Sequence, residues 1–425
     1  MDKYIIEGGR PLYGEVEIQS AKNAVLPLLA ASVLTEERVV IRRCPRIADV
    51  LNMVQILGEL GCKTGFEGDA LIIDGADAAN HEIPSALARE LRSSVFLLGS
   101  VVARFGRARI AYPGGCDIGL RPVDLHLQGL RRLGVGVREE GGCIDCSCSG
   151  VRGAEIVLDC PSVGATENIL LAAVTARGTT VIRNAAREPE IVDLANMLVA
   201  MGARVEGAGT STIEVEGVPL SSLHPCEHTT VGDRIEAGTF LAGGALMGGP
   251  VTVRGIDPSF LRMALMKLQA MGCDVQTGDG WITVARTGAL LPTDIQTLPH
   301  PGFPTDLQAQ FMLLAARAEG SSVITENVFE NRFMFAAELG RMGADITIEG
   351  HHALVRGVKG LQGAPVSATD LRAGAAIVLA GISAEGETRV HHIEHIDRGY
   401  EDYVGKLVSL GADVRRAPAD VPVSC

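Results

Sequence analysis

Apolar positions along this chain fall into one phrase that is repeated six times. Each copy opens with a run that is apolar almost all round: LPLLAASVL, VFLLGSVVA, NILLAAVTA, TFLAGGALM, FMLLAARAE and AIVLAGISA. Such a run predicts a helix buried on every side. A turn and a β-branched segment follow, as in RVVIRRC, TTVIRNA, PVTVRGI, SSVITEN and ETRVHHI, and predict strands. A second, more amphipathic helix, such as EIVDLANMLVAMG, then runs to a glycine and the next strand. The six junctions are LGELGCKTG, LRRLGVGVR, LVAMGARVE, LQAMGCDVQ, LGRMGADIT and LVSLGADVR. Their glycines, Gly61, Gly134, Gly202, Gly272, Gly343 and Gly411, are spaced by 73, 68, 70, 71 and 68 residues. Glycine suits this place because the chain leaving a helix there takes positive φ.

Each period thus predicts an α–β–α–β unit with extra short strands, the first helix buried and the second covering the outside. Six units are too many for one core, so two α/β domains of three units each are expected, with 22–230 forming one and 1–21 with 231–425 the other. The Pro- and Ser-rich GVPLSSLHPCEHTT, Gly217 to Thr230, reads as the boundary. The strand-like start, YIIEGG and then GEVEIQ, is free to pair with the last unit. A uniform solenoid is the alternative, but distinct polar capping repeats are missing.

Composition narrows the picture. The 425 residues are 47% hydrophobic but only 4% aromatic, so the core must be built of Ala, Val, Leu, Ile and Gly. The most apolar stretch, Ala237 to Val253, contains five glycines and a proline, which argues against a membrane span. MDKYIIEGGR has no apolar segment of the kind a secretory signal needs, and ten cysteines then read as reduced cytoplasmic thiols. A net charge of −13 argues against nucleic acid as a partner. The CIDCSC run, Cys143 to Cys148, has the cysteine content of a metal site but lacks a second pair, and its alternation fits a strand.

Chemistry collects where the buried helices begin. The entrances read SAKNAVLP, ELRSSVFLL, SVGATENILL, VGDRIEAGTFL, FPTDLQAQFMLL and ATDLRAGAAIVL. Ser162, Thr166 and Asp370 suit ordinary N-caps. Lys22, Arg92 and Arg372 do not, because a cation at a helix N-terminus opposes the helix dipole. An anion bound there reverses that cost, so an anionic substrate in an interdomain cleft is expected. PGGCDIGLRPVDLH, Pro113 to His126, adds a thiol behind two glycines and the cation Arg121, and HIDRGYE adds Arg398.

SAKNA, PGGCDIGLRPVDLH, SVGATENI, NAAREPEIVDLAN, DRIEAGTF, PHPGFPTDLQAQF, FENRF, TDLRAGA and HIDRGYE follow one another in the order in which they occur in the UDP-N-acetylglucosamine 1-carboxyvinyltransferase family of enolpyruvyl transferases, which the chain resembles from about Lys3 to Arg415. The resemblance implies two inside-out α/β domains, each of three repeats about a pseudo-threefold axis. It implies transfer of the enolpyruvyl group of phosphoenolpyruvate to the 3-hydroxyl of UDP-N-acetylglucosamine, with no metal or organic cofactor. Phosphoenolpyruvate carries a phosphate and a carboxylate, which suits the cations Lys22, Arg92, Arg121, Arg372 and Arg398.

By the same resemblance Cys116 donates a proton to the methylene carbon or assists product release, and Asp306 accepts the hydroxyl proton. Lys22 and Arg398 offset charge during addition and loss of phosphate. Arg121, Pro122, Val123, Asp124 and Leu125 line the uridine pocket, Ser162, Val163 and Gly164 meet the diphosphate, and Asn23 and Phe329 frame the sugar. Glu188, Asp233, Arg332 and Asp370 support these groups or bridge the domains. Ser20, Ala48 and Cys160 depart from residues often found in the family, the last two where some members carry lysine. The rival acceptor is shikimate 3-phosphate, on the same fold with the same donor. RNA 3′-phosphate cyclase, whose repeats are related, and a regulatory paralogue that binds the UDP-sugar without turnover are alternatives from other classes.

Overall fold

The computed structural model describes residues 2–114 and 123–418. They form six four-stranded sheets, three in each of two compact units. One unit comprises 20–114 and 123–231, and the other comprises 2–19 and 232–418.

The repeat is seen most simply at 155–216. Strand Glu155–Val157 leads into the buried helix Val163–Ala173 and then the parallel strand Thr179–Arg183. The outer helix Pro189–Ala200 follows, and the hairpin Arg204–Glu206 with Thr212–Glu216 completes the sheet antiparallel to Thr179–Arg183. The unit is therefore β–α–β–α–β–β, with the parallel pair joined through the buried helix as parallel strands require. Strands such as Thr179–Arg183 alternate between buried and exposed residues, so each sheet turns one face to the core and one to solvent.

Helices Lys22–Ala31, Leu97–Phe105 and Val163–Ala173 pack together at the centre of one unit. Arg234–Met247, Gln308–Ala316 and Leu371–Ser383 do the same in the other. Helices inside and sheets outside is the inside-out arrangement. It explains why the six runs have no polar face, since a helix ringed by helices and sheets has no side left for water. Small residues let these helices approach: a Cβ on Gly99 would lie 2.2 Å from the Asn168 carbonyl oxygen. All six junction glycines take positive φ, from 82° at Gly134 to 104° at Gly411. The outer helices are amphipathic as expected, apart from Pro189–Ala200, which packs on Lys22–Ala31 and buries Glu190 and Asp193 as well as its apolar residues.

Two expectations need adjusting. The N-terminal strand Asp2–Glu7 does join the last repeat, lying between Glu387–His391 and Asp413–Pro418. Gly14–Glu17 instead runs parallel to Val251–Arg254 in the fourth repeat. The segment 217–230 is also not slack, because Glu227–Thr229 returns as an edge strand parallel to Arg38–Arg42. CIDCSC forms the strand Cys143–Ser147 with Cys146 turned to the core. Among the described residues no helix is long and apolar enough to cross a membrane.

Candidate functional site

In the unit 2–19 with 232–418, the three buried helices present their N-terminal residues to one another. Asp233 caps Arg234–Met247, its Oδ1 accepting from the N–H groups of Ile235 and Glu236 at 2.8 and 3.1 Å. Asp370 caps Leu371–Ser383 in the same way, accepting from Arg372 and Ala373 at 2.9 and 3.1 Å. The side chain of Arg372 then bridges the entrances: Nη2 lies 3.8 Å from Asp233 Oδ2 and Nε 3.5 Å from Asp306 Oδ2. Asp306 sits in the tight turn Thr305–Leu307 that opens the third helix, and its Oδ1 accepts from Arg332 Nη2 at 2.9 Å.

Arg372 lies over the Tyr400 ring at 5.2 Å, and Arg332 over Phe329 at 5.5 Å. Both arginines are almost fully buried, at 3% and 4% exposure. Burial works against the charge on Arg372, but Tyr400, Asp233 and Asp306 together raise its pKa and hold it protonated. Among the described residues its Nη1 and the Nη1 of Arg332 nevertheless have no hydrogen-bond partner, and its Nε has only the long approach to Asp306. Unmade hydrogen bonds on a buried guanidinium are costly, so these donors call for an acceptor better placed than any among the described residues. Arg398 ends the short helix Glu394–Asp397. Its loop is gripped by Gln19, whose Nε2 donates to the Gly399 carbonyl at 2.8 Å and whose Oε1 accepts from the Glu401 N–H at 2.6 Å.

In the unit 20–114 with 123–231, Lys22 is the first residue of its helix, where Ala21 gives no side-chain cap. Its ammonium pairs with Asp49 at 2.8 Å, in the first turn of the outer helix Ala48–Glu59. Asn23 beside it is half-buried. Arg92 opens the turn Arg92–Phe96 and reaches toward the Gly114 carbonyl at 3.5 Å. Gly114 packs so closely on Arg89 that a Cβ would lie 1.9 Å from its carbonyl oxygen, so a close contact requires this glycine of PGGC.

Ser162 caps Val163–Ala173 by accepting from Ala165 N–H at 3.3 Å. Thr166, expected as a cap, is a turn further in and donates to the Ser162 carbonyl instead. Gly164 faces Phe96 and His126, which would lie 2.9 and 3.0 Å from an added Cβ. His126 is stacked on Phe96, and burial with Arg92 nearby pushes its pKa down to about 3. Val123 is buried, Leu125 half-buried, and Asp124 exposed at the start of Asp124–Arg132. Glu188 stands just before Pro189–Ala200 but accepts from the Arg187 N–H rather than from its own helix.

Cys116, Arg121 and Pro122 lie outside the described residues. Among the rest, the structure gathers Asp233, Asp306, Arg332, Phe329, Asp370 and Arg372 into one cluster, and sets Gly164 beside the Arg92–Phe96 turn. Sequence reasoning missed Asp49, Tyr400 and Asn168. Asp49 carries a signal of its own, an acid in the first turn of a helix.

Residues 6–407 match the EPSP synthase (3-phosphoshikimate 1-carboxyvinyltransferase) family. The chain is 52% identical to UDP-N-acetylglucosamine 1-carboxyvinyltransferase 2 of Caldanaerobacter subterraneus, across 98% of this chain and 100% of that one. It is 51% identical to UDP-N-acetylglucosamine 1-carboxyvinyltransferase of Nitratidesulfovibrio vulgaris, across 98% and 99%. The enolpyruvyl transferase NikO from Streptomyces tendae superposes with a TM-score of 0.89 at 29% identity, covering 99% of each chain. EPSP synthase from Acinetobacter baumannii shares the fold, with a TM-score of 0.75 at 19% identity, covering 98% of this chain and all of that one. With inside-out domains, cationic helix entrances and full-length likeness all in agreement, the chain belongs to the EPSP synthase family of enolpyruvyl (1-carboxyvinyl) transferases.

Proposed function

We propose that the protein transfers the enolpyruvyl group of phosphoenolpyruvate to the 3-hydroxyl of UDP-N-acetylglucosamine and releases phosphate, the first committed step of peptidoglycan synthesis, in the cytoplasm. The observation that carries the reading on this chain is Arg372, a buried cation beside Asp306 whose Nε and Nη1 make no close hydrogen bond among the described residues. An anionic substrate supplies the missing acceptors. Relatives named for the UDP-sugar, at about half identity over the full length, favour that acceptor.

In this reading the sugar hydroxyl adds to the central carbon of phosphoenolpyruvate as its methylene carbon gains a proton. The tetrahedral intermediate then loses that methyl proton's equivalent and expels phosphate, restoring the double bond. Asp306 takes the hydroxyl proton, held in place by Arg332 and Arg372. Cys116 supplies the carbon-bound proton or assists product release. Lys22, Arg92, Arg121, Arg372 and Arg398 hold the phosphate and carboxylate, and Lys22 and Arg398 offset charge as phosphate leaves. Val123 to Leu125 with Arg121 and Pro122 take the uridine, Ser162 to Gly164 the diphosphate, and Asn23 and Phe329 the sugar. Glu188, Asp233, Asp370 and Arg332 keep these groups aligned.

Phosphate release from phosphoenolpyruvate tests the reading, with UDP-N-acetylglucosamine or shikimate 3-phosphate as acceptor. Release with the UDP-sugar alone, impaired in Cys116→Ser, is expected. Release with shikimate 3-phosphate, or with neither, overturns it. A thiol at position 116 also makes the protein a target for fosfomycin, an epoxide that alkylates it.

A further inference from the structure

Glu326 follows directly on the strand Ser321–Thr325 and is 1% exposed. No residue of the reaction scheme above is identical with it, yet its carboxyl group is bonded on both oxygens. Oε1 accepts from Thr297 Oγ1 at 2.8 Å and from the backbone N–H groups of Val328 and Phe329 at 2.8 and 3.2 Å. Oε2 accepts from Thr305 Oγ1 at 2.9 Å. The acid therefore grips two separate pieces of chain. One is the turn Thr305–Leu307, whose middle residue is Asp306. The other is the loop that leaves the strand at Val328 and Phe329 and reaches Arg332, whose own N–H bonds the Phe329 carbonyl at 3.4 Å. These two pieces meet at the Asp306–Arg332 ion pair, 2.9 Å long.

A buried carboxyl group is retained at a cost in desolvation, which its four donors offset. An apolar residue packed against apolar neighbours would hold the strand end as well. What it would not do is tie the Thr305 hydroxyl and the Phe329 N–H to one point. Thr297 adds a second tie, since its Oγ1 also accepts from Asn327 N–H at 2.9 Å. Preorganised groups of this kind matter because small displacements of a reacting group are expensive in rate.

We propose that Glu326 is a positioning residue that fixes Asp306 and Arg332 relative to one another, acting through Thr305 on one side and the Val328–Phe329 turn on the other. The proposal rests on the role of Asp306 given above. Thr305→Val removes the bond to Oε2 while keeping size and branching, and Glu326→Gln keeps the shape but cannot accept from all four donors. Both variants are expected to lower kcat by about 10- to 100-fold. KM should hardly change, since the interaction is one that serves the transition state. Thr297→Val, which loosens the strand end away from Asp306, is expected to lower thermal stability more than kcat.

The decisive arm repeats Thr305→Val in an Asp306→Asn background, where it should cost nothing further in the residual rate. A full, additive loss there means that Thr305 and Glu326 act on the fold in general and overturns the proposal, as does an unchanged kcat in both single variants. A second readout needs no turnover: crystals of Glu326→Gln should show the Asp306–Arg332 pair opened, and a pair kept at its present length overturns the proposal. Wild-type turnover with the UDP-sugar is measured alongside. Its absence sinks the functional reading, whereas its presence with unaffected variants sinks only the positioning role.

Discussion

Asn168 Nδ2 lies 3.1 Å from His126 Nδ1, and this one bond sets the tautomer of a buried imidazole. The Asn168 carboxamide cannot be turned the other way. Its Oδ1 accepts from Gly99 N–H at 2.6 Å and its Nδ2 donates to the Val95 carbonyl at 3.1 Å. Nδ1 of His126 is therefore an acceptor, and the proton of the neutral ring resides on Nε2, on the side of Gly164.

That tautomer is measurable by nitrogen-detected NMR of the His126 ring, and Asn168→Asp should move the proton to Nδ1. The pH dependence has a definite sign. The ring's pKa is lowered from 6.5 to about 3, chiefly by burial and then by Arg92. Below pH 6.5 the unfolded chain takes up a proton that the folded chain refuses, so stability is full above that pH and falls as pH drops toward 3. His126→Gln should shallow this acid limb of the urea midpoint curve, and an unchanged limb would sink the assignment.

Glu167 gives the opposite slope. It is fully buried, neither carboxyl oxygen has a hydrogen-bond partner among the described residues, and burial with Glu190 and Glu188 nearby raises its pKa well above the ordinary 4.5. The folded protein keeps a proton that the unfolded chain releases, so this contribution is full below pH 4.5 and lost as pH rises. Glu167→Gln should stabilise the protein by about 1 kcal/mol or more at pH 8 and do little at pH 4. Equal effects at both would contradict it.

Arg372→Lys keeps the charge but not the fork. An ammonium cannot reach Asp233 and Asp306 together while lying flat on the Tyr400 ring. The expected result is a loss of about 2–5 kcal/mol in kcat/KM for phosphoenolpyruvate, the usual cost of breaking a buried charge pair. A variant within a factor of two of wild type would remove Arg372 from the site.

Gly164→Ala forces Phe96 or His126 aside by several tenths of an ångström. Overpacking of this kind costs roughly 1–3 kcal/mol. It should appear as a raised KM for UDP-N-acetylglucosamine with kcat nearly kept, and a change confined to kcat would argue that the 162–164 turn does not hold the nucleotide.

The repeats were legible because they depend on local rules. Six glycines at a fixed spacing mark six helix ends, and runs without a polar face announce helices at the centre. The cations at Lys22, Arg92 and Arg372 stood out because they oppose a helix dipole. Which acid meets which cation did not stand out, because pairing is a matter of long-range geometry: Asp49, 27 residues from Lys22, went unnamed, and Asp233, though named, gave no sign of facing Arg372. Glu326 was silent for the same reason, since nothing in ITENVFENRF says that its carboxyl group turns inward to meet Thr305. The destination of Gly14–Glu17 was also hidden, because an edge strand of four residues names no partner.

The strand Asp2–Glu7, held between Glu387–His391 and Asp413–Pro418, imposes an order on biosynthesis. Both of its neighbours lie far later in the sequence and so are synthesised long after it. The unit built from 20–231 has every strand it needs once Glu227–Thr229 has emerged, and can fold while synthesis continues. The other unit must wait, with the strand Asp2–Glu7 unpaired, until Asp413–Pro418 has been made. A chain stopped short of residue 413 leaves that strand one neighbour too few, and its open sheet edge is a ready template for pairing with another chain.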